Sequence, residues 1–248
     1  MFSGTAQEIP SHAASPFGPR FEMAGAFPDL VLVTADNARF FVHISVLLQA
    51  STNNFANVFN NTGESFHVPE TGFVMDIALH VIYGIPYVHR PAPLDVVEAA
   101  IATLTKYGIT VQAFATPPLP LYGLLLSHAP FRPIETYAIA GHYNMELVAI
   151  ATSSHLLGYD TSKLSDELVV KMGSVYLRRL CDLHSFRLKT LRDIVLRPPR
   201  AHIVNSGGGQ ESLHSELGQM WAFAAAELVW EALPSKFLGY YLYICAMN

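Results

Sequence analysis

Residues 39–59 read RFFVHISVLLQASTNNFANVF, and the change of pattern inside this stretch decides the fold class. Arg39 to His43 is an aromatic and β-branched run that suits a strand. From Ser45 onward the apolar positions Val46, Leu47, Leu48 and Ala50 stand at helical spacings. They are followed by Phe55, Val58 and Phe59 at the same spacing, with Ser51 to Asn54 as an interruption. The stretch therefore predicts a strand, a helix, a break and a second short helix. Just upstream, Asp29 to Thr34 is another β-branched run, and Ala35 to Ala38 has turn chemistry, so the two strands make a hairpin. Downstream, Ser65 to Val68 reads as a third strand closed by Pro69.

Everything beyond Pro69 reads as helix. The pattern predicts helices over Phe73 to Tyr83, ended by Gly84, and over Leu94 to Tyr107, ended by Gly108. A Pro-rich hinge, Thr116 to Pro120, separates the two halves. Pro133 opens another helix, ended by Gly141, and Met145 to Leu157 is closed by Gly158. Asp166 to about Leu180 follows, with Asp166 and Glu167 in its first turn and Arg178 and Arg179 in its last, an order that complements the helix dipole. Its inward stripe is expected at Val169, Met172, Tyr176 and Leu180. A separate helix, Leu183 to Leu196, turns Leu188, Leu191 and Val195 inward and stops at Pro198-Pro199. Asn205 to Gly209 reads as a flexible loop and Leu213 to Leu233 as a last helix.

The 248 residues carry 15 Lys plus Arg against 20 Asp plus Glu, a net charge of −5. Charged residues are 14% and apolar ones 51%, with mean hydropathy +0.28. The charged share is about half the ~25% of an average soluble domain, which excludes disorder over the whole chain. Spanning a bilayer needs roughly 18 uncharged apolar residues, and the best candidate, Trp221 to Trp230, carries Glu227 and ends against Glu231. Two cysteines, Cys181 and Cys245, make no disulfide framework, and Met1 to Pro10 lacks the apolar run of a secretory leader. An intracellular place, cytoplasm or nucleus, is expected, in which the acceptor spelling Asn60-Asn61-Thr62 has no role.

Phe40, His43, Val46-Leu47, Ser51, Phe55 and Phe59 resemble the BTB/POZ signature F-x-x-H-x-x-(V/L)-L-x-x-x-S-x-x-F-x-x-x-F. The stretch Ser51 to Phe55 is one residue longer than the commonest form. Val68-Pro69-Glu70, Val81 to Gly84, Lys106 to Ile109, Arg132-Pro133 with Tyr137-Ala138, Ser154 to Leu157, Met172-Gly173, Tyr176 to Leu180, and Pro198-Pro199 with His202 are similar to a large fungal, basidiomycete-type group of BTB proteins. The resemblance spans about Pro28 to Pro234. It implies an α+β fold, a small sheet flanked by helices, followed by an all-helical extension. Asp29 would open the first strand and His43 would lead into the first helix. The domains expected are a mobile N-terminal tail over 1–27, the BTB/POZ domain over 28–115, a helical domain over 116–234, and an apolar tail of unclear role over 235–248.

The function implied is protein–protein interaction, as a scaffold or adaptor, with no catalysis, cofactor or metal. The partners are other proteins. Many BTB proteins serve cullin-type ubiquitin ligases through a hydrophobic residue two before an acidic one. Here that stretch is Thr62-Gly63-Glu64, and a threonine in the hydrophobic place speaks against the role. Tight swapped dimers of the family carry an extra helix before the first strand. Pro10, Pro16 and Pro19 break that region here, so deleting residues 1–20 is expected to leave the oligomeric state unchanged.

Reactive constellations are sparse. Cys181 and His184 have metal-like spacing, with His202 as a third candidate, but no fourth ligand completes a tetrahedral zinc set. His43 has no serine or cysteine nucleophile in an elbow context, so a buried histidine bonded to backbone groups is expected. Gly207 to Gly209 is followed by Gln210-Glu211, which excludes a phosphate loop. Residues 178–200 hold seven of the fifteen basic residues, Arg178, Arg179, Arg187, Lys189, Arg192, Arg197 and Arg200, against Asp182 and Asp193. A docking face formed by Arg178, Arg179, Arg187, Lys189 and Arg192 is the candidate site. The alternative function is a transcription-linked protein that uses it to contact nucleic acid or an acidic partner. Phe186 is the only aromatic residue interleaved there, and no recognition-helix motif is present, so nucleic acid is the less expected partner.

Overall fold

The computed structural model describes residues 15–60, 65–88, 91–197 and 218–226. It is a mixed α+β protein, a three-stranded sheet with a majority of helices, that divides into two compact units, Met1–Thr152 and Ser153–Asn248. Among the described residues no helix is long and apolar enough to cross a membrane.

In the first unit, β1 (Leu30–Val33) pairs antiparallel with β2 (Arg39–Val42) and parallel with β3 (Ser65–His67), so the strand order is β2-β1-β3. Leu32 stands opposite Phe40 on one side and beside Phe66 on the other, and all three are buried. This register puts the apolar face of the sheet against the helices. The hairpin turn places Asn37 at φ 61°, a conformation asparagine tolerates. Asp36 of the same turn accepts the Gly72 N–H at 2.8 Å. The turn thereby caps a helix 36 residues away in sequence.

The helices are α1 (Ile44–Ala50), α2 (Gly72–Tyr83), α3 (Leu94–Lys106), α4 (Val111–Phe114), α5 (Pro120–His128), α6 (Pro133–His142) and α7 (Glu146–Ser153). Met75, Ile77, Ala78, Leu79, Val81 and Ile82 bury most of the circumference of α2, which makes it the central helix. Leu94, Val97, Ile101 and Leu104 pack α3 beside it, and Leu121 and Leu125 lay α5 on both. The Pro-rich segment read as a border at 115/116 therefore lies inside the first unit. The units meet at 152/153, because α5 and α6 return to the core instead of starting a new one.

Two further expectations change in this unit. Of the tail read as mobile over 1–27, residues 15–18 and Phe21 lie at least half-buried, and Phe17 is only 2% exposed. Proline and glycine fix turns there, while Phe17 and Phe21 supply the apolar anchors. The short helix expected from Phe55 does not start as one. Asn54, Phe55, Ala56 and Asn57 all take positive φ, a left-handed turn that runs into a 3₁₀ segment, Phe55–Asn60.

In the second unit a single element, α8 (Asp166–Val195), replaces the two helices expected on either side of Cys181. Ser165 caps it, its Oγ accepting the Leu168 N–H at 3.4 Å. Its one break is at Gly173, with φ 74° and ψ 166°, a region open essentially to glycine alone. Beyond the break the helix runs through Cys181 and Asp182, because the buried stripe Tyr176, Leu180, His184, Leu188 continues at a spacing of four. Val169 and Leu191 are half-buried beside it. Residues 218–226 are helical, and the Trp221 indole donates to the Val195 carbonyl at 2.9 Å. Thr62-Gly63-Glu64, His202, Gly207 to Gly209 and the apolar tail lie outside the described residues.

Candidate functional site

The signature residues fall at the two ends of α1, where it leaves β2 and where it enters the turn after it. The Asp29 carboxylate accepts the Ile44 N–H at 2.8 Å and so caps α1 from the start of β1. Phe40 and Leu47 are buried in the core beneath. The His43 N–H donates to the Tyr83 hydroxyl oxygen at 2.8 Å, and the ring Nδ1 lies 3.1 Å from the same oxygen. Its Nε2 lies 3.1 Å from the Ala26 carbonyl, which can only accept, so Nε2 carries the proton and Nδ1 accepts from Tyr83. Both ring nitrogens are spent on structure, leaving His43 no free lone pair to act as a base. Burial pushes the Tyr83 hydroxyl up to about 12; the His43 N–H works against that rise and Asp29 adds to it.

Ser51 ties the following turn down. Its hydroxyl donates to the Tyr107 carbonyl at 2.7 Å and accepts the N–H groups of Phe55 and Asn53 at 2.7 and 3.2 Å. Asn53 donates to the Lys106 carbonyl at 3.0 Å and accepts the Ala56 N–H at 2.8 Å. Phe55 is fully buried, stacked on Tyr107 at 4.2 Å and 9°. Gly108 closes the contact from the other side: it has φ 76°, and a Cβ there would come within 2.5 Å of Asn53. Tyr107 donates to Glu70 at 2.7 Å, and burial, helped by that carboxylate, holds its hydroxyl far above the usual range. The Phe59 side chain is not among those described.

Ser15, Asp76 and His80 form a second polar constellation, one that sequence reasoning missed. The Ser15 hydroxyl donates to Asp76 Oδ1 at 2.6 Å, and His80 Nδ1 lies 2.8 Å from the Asp76 carbonyl. In a hydrolase relay the serine hydroxyl donates to an imidazole; here it donates to the carboxylate, so the order differs from that of an activated nucleophile. The arm that carries Ser15 inserts Phe17 among Phe21, Phe40, His80 and Tyr83, at ring separations of 5.0 to 6.4 Å. Its backbone makes one bond to the edge of β2, the Phe41 N–H donating to the Phe17 carbonyl at 2.9 Å. The available signal was Phe17 and Phe21 at a spacing of four.

The basic residues of α8 do not share one face. At 100° per residue, Arg178, Lys189 and Arg192 fall within about 60° of one another, whereas Arg179 and Arg187 stand about 100° and 180° from Arg178. Asp182 and Asp193 project beside the first three, at about 40° and 60° from Arg178. All five cations are exposed, and Arg179 lies over the Tyr176 ring at 5.1 Å. Arg178, Arg187, Lys189 and Arg192 make no ion pair among the described residues.

Cys181 is exposed and His184 buried, so the two do not face a common point. Burial, with Arg187 adding to it, lowers the His184 pKa, and burial also raises that of Cys181. The buried His184 Nε2 meets no hydrogen-bond partner among the described residues. No group of three or more His, Cys, Asp or Glu that could hold a metal occurs among them either.

Apolar side chains lie open around the start of α1. Phe27 is 67% exposed, and Met23 and Leu48 are exposed as well. The bonds from Ala26 to His43 and from Asp29 to Ile44 hold residues 26–29 against this end of the helix, one turn from Leu48. No protein-family model matches the chain, and no curated protein matches it.

Proposed function

We propose that the chain is a protein-interaction module of the BTB/POZ kind, acting as a scaffold or adaptor without catalysis, and similar to the fungal group of such proteins. The observation that carries this reading is the division of labour around α1. Asp29, His43, Ser51 and Phe55 are committed to backbone caps and core packing, while Phe27, Met23 and Leu48 are exposed. A sheet of order β2-β1-β3, with α1 leaving β2 directly, is consistent with that fold. Exposed apolar residues rimmed by polar ones suit a partner surface.

The test is co-purification of the full chain from native extract, followed by mass spectrometry, beside the variant Phe27→Glu, Leu48→Glu. The same partners should be retained by the natural sequence and lost by the variant. Partners that bind both equally, or none at all, overturn the reading. A second reading, docking of an acidic partner protein on α8, rests on its four exposed cations that lack an ion pair among the described residues. Partners lost only with Arg178→Glu, Lys189→Glu would favour it.

A further inference from the structure

Ser15 joins a hydroxyl, a carboxylate and a detachable segment in one contact. Its hydroxyl lies 2.6 Å from Asp76 Oδ1, and Asp76 sits on the central helix α2. The segment it begins, residues 15–27, is held to the body by few bonds. Among the described residues these are the Ser15–Asp76 bond, the bond from Phe41 to Phe17, the burial of Phe17, the Phe21 ring against His43 and Tyr83, and the His43 bond to Ala26. Most of its other hydrogen bonds are internal, Gly18 to Pro16, Phe21 to Gly18, and the Met23–Ala26 pair. That pair encloses Ala24 and Gly25, both at positive φ, a tight turn within the arm shortly before β1. Pro16 follows Ser15, the chain's one Ser-Pro dipeptide, and a proline in this place is what proline-directed serine kinases require.

We propose that Ser15 is a phosphorylation site whose modification releases the arm 15–27 from the first unit. The inference goes beyond the interaction reading and does not depend on it. The Ser15 oxygen attacks the γ-phosphorus of ATP held by the kinase, forming an O–P bond. The bond from that phosphorus to the bridging oxygen of the β-phosphate breaks, ADP leaves, and the hydroxyl proton passes to a carboxylate of the kinase. The product has lost the donor that Asp76 accepts and carries about two negative charges against that carboxylate. The attraction that closes the arm becomes a repulsion, and the population shifts to the open arm. Opening uncovers the edge of β2 and the aromatic floor of Phe40 and Tyr83.

Trypsin cleavage after Arg20, in the middle of the arm, reads the open population under native conditions. Full-length chain carrying phosphoserine at position 15, installed during translation, should be cleaved there about ten-fold faster than the unmodified chain. Combining phosphoserine with Asp76→Asn should bring the rate back to within about three-fold of the unphosphorylated Asp76→Asn chain. Cleavage after Arg39, inside β2, should stay unchanged, which separates arm release from global unfolding. A proline-directed kinase with Mg-ATP should place phosphate on Ser15 of the unmodified chain. No phosphate at Ser15, an unchanged rate after Arg20, an acceleration that Asp76→Asn leaves intact, or an equal acceleration after Arg39 would each overturn the proposal.

Discussion

At the junction of β2 and α1 one hydroxyl, that of Tyr83, accepts the His43 N–H and donates to the His43 ring. Tyr83→Phe leaves a buried N–H without its acceptor, and urea denaturation should show a loss of about 1–3 kcal/mol. The same hydroxyl sets an alkaline limit. Burial favours the neutral phenol in the folded chain, so its contribution is complete below pH 10 and is lost as pH rises through about 12. Tyr83→Phe should flatten, though not abolish, the decline in stability over that window, because Tyr107 is shifted in the same direction. At the left-handed turn Ala56 has φ 54° and faces solvent. Ala56→Gly relieves the Cβ clash of that conformation and should stabilise the chain by about 0.5–1 kcal/mol. In the second unit burial keeps His184 neutral, so its contribution is present above pH 6.5 and falls away as pH drops through its lowered pKa. His184→Leu, which continues the apolar stripe of Leu180 and Leu188, should remove that acid sensitivity.

Among the elements, the N-terminal arm and α8 depart furthest from a reading by composition. Phe17 is as buried as the core strands, so Phe17→Ala should cost about 3–5 kcal/mol in denaturant unfolding. Deleting residues 1–20 removes the same side chain and should destabilise the first unit, whatever the oligomeric state. For α8 the sign of one substitution separates a broken helix from a continuous one. In a continuous helix Gly173→Ala gains about 1 kcal/mol by propensity. At φ 74° and ψ 166° alanine is strained, and we expect a loss of about 1–3 kcal/mol by thermal or chemical denaturation. The glycine was visible in the sequence, but its neighbours Met172 and Tyr176 keep the apolar spacing across it and hide the break.

For the molecule as a whole, the distribution of charge on α8 argues against a nucleic-acid surface there. A nucleic-acid surface needs cations on one side, and α8 spreads its own around the helix with Asp182 and Asp193 among them. Binding to duplex DNA at physiological salt should be no tighter than ~10 µM, below the range of specific sites. A sub-micromolar, salt-sensitive shift in a mobility assay that Arg187→Ala, Arg192→Ala removes would contradict this. Part of the local structure was legible in advance: Asp29 and His43 hold the start of α1, and Ser51 and Phe55 bond to each other just past its end. The open apolar residues were not legible, since Phe27 and Leu48 look no different in sequence from the buried Phe40 and Leu47.

The three strands in their order, the hairpin and the helix ends at Gly84 and Gly108 follow from the sequence alone. Those features depend on residues within about four positions of one another, where periodicity and turn chemistry act directly. The tertiary structure decided the rest. The arm closes through Ser15 and Asp76, 61 residues apart, and the left-handed turn is held through Ser51 and Tyr107, 56 apart. The helix α1 starts on bonds from Asp29 and Tyr83, and the border between units moves because α5 packs back on α2 and α3. Each of these is a local cost or an indifferent local preference, overruled by a buried bond or a buried ring that comes into reach only after the chain has folded.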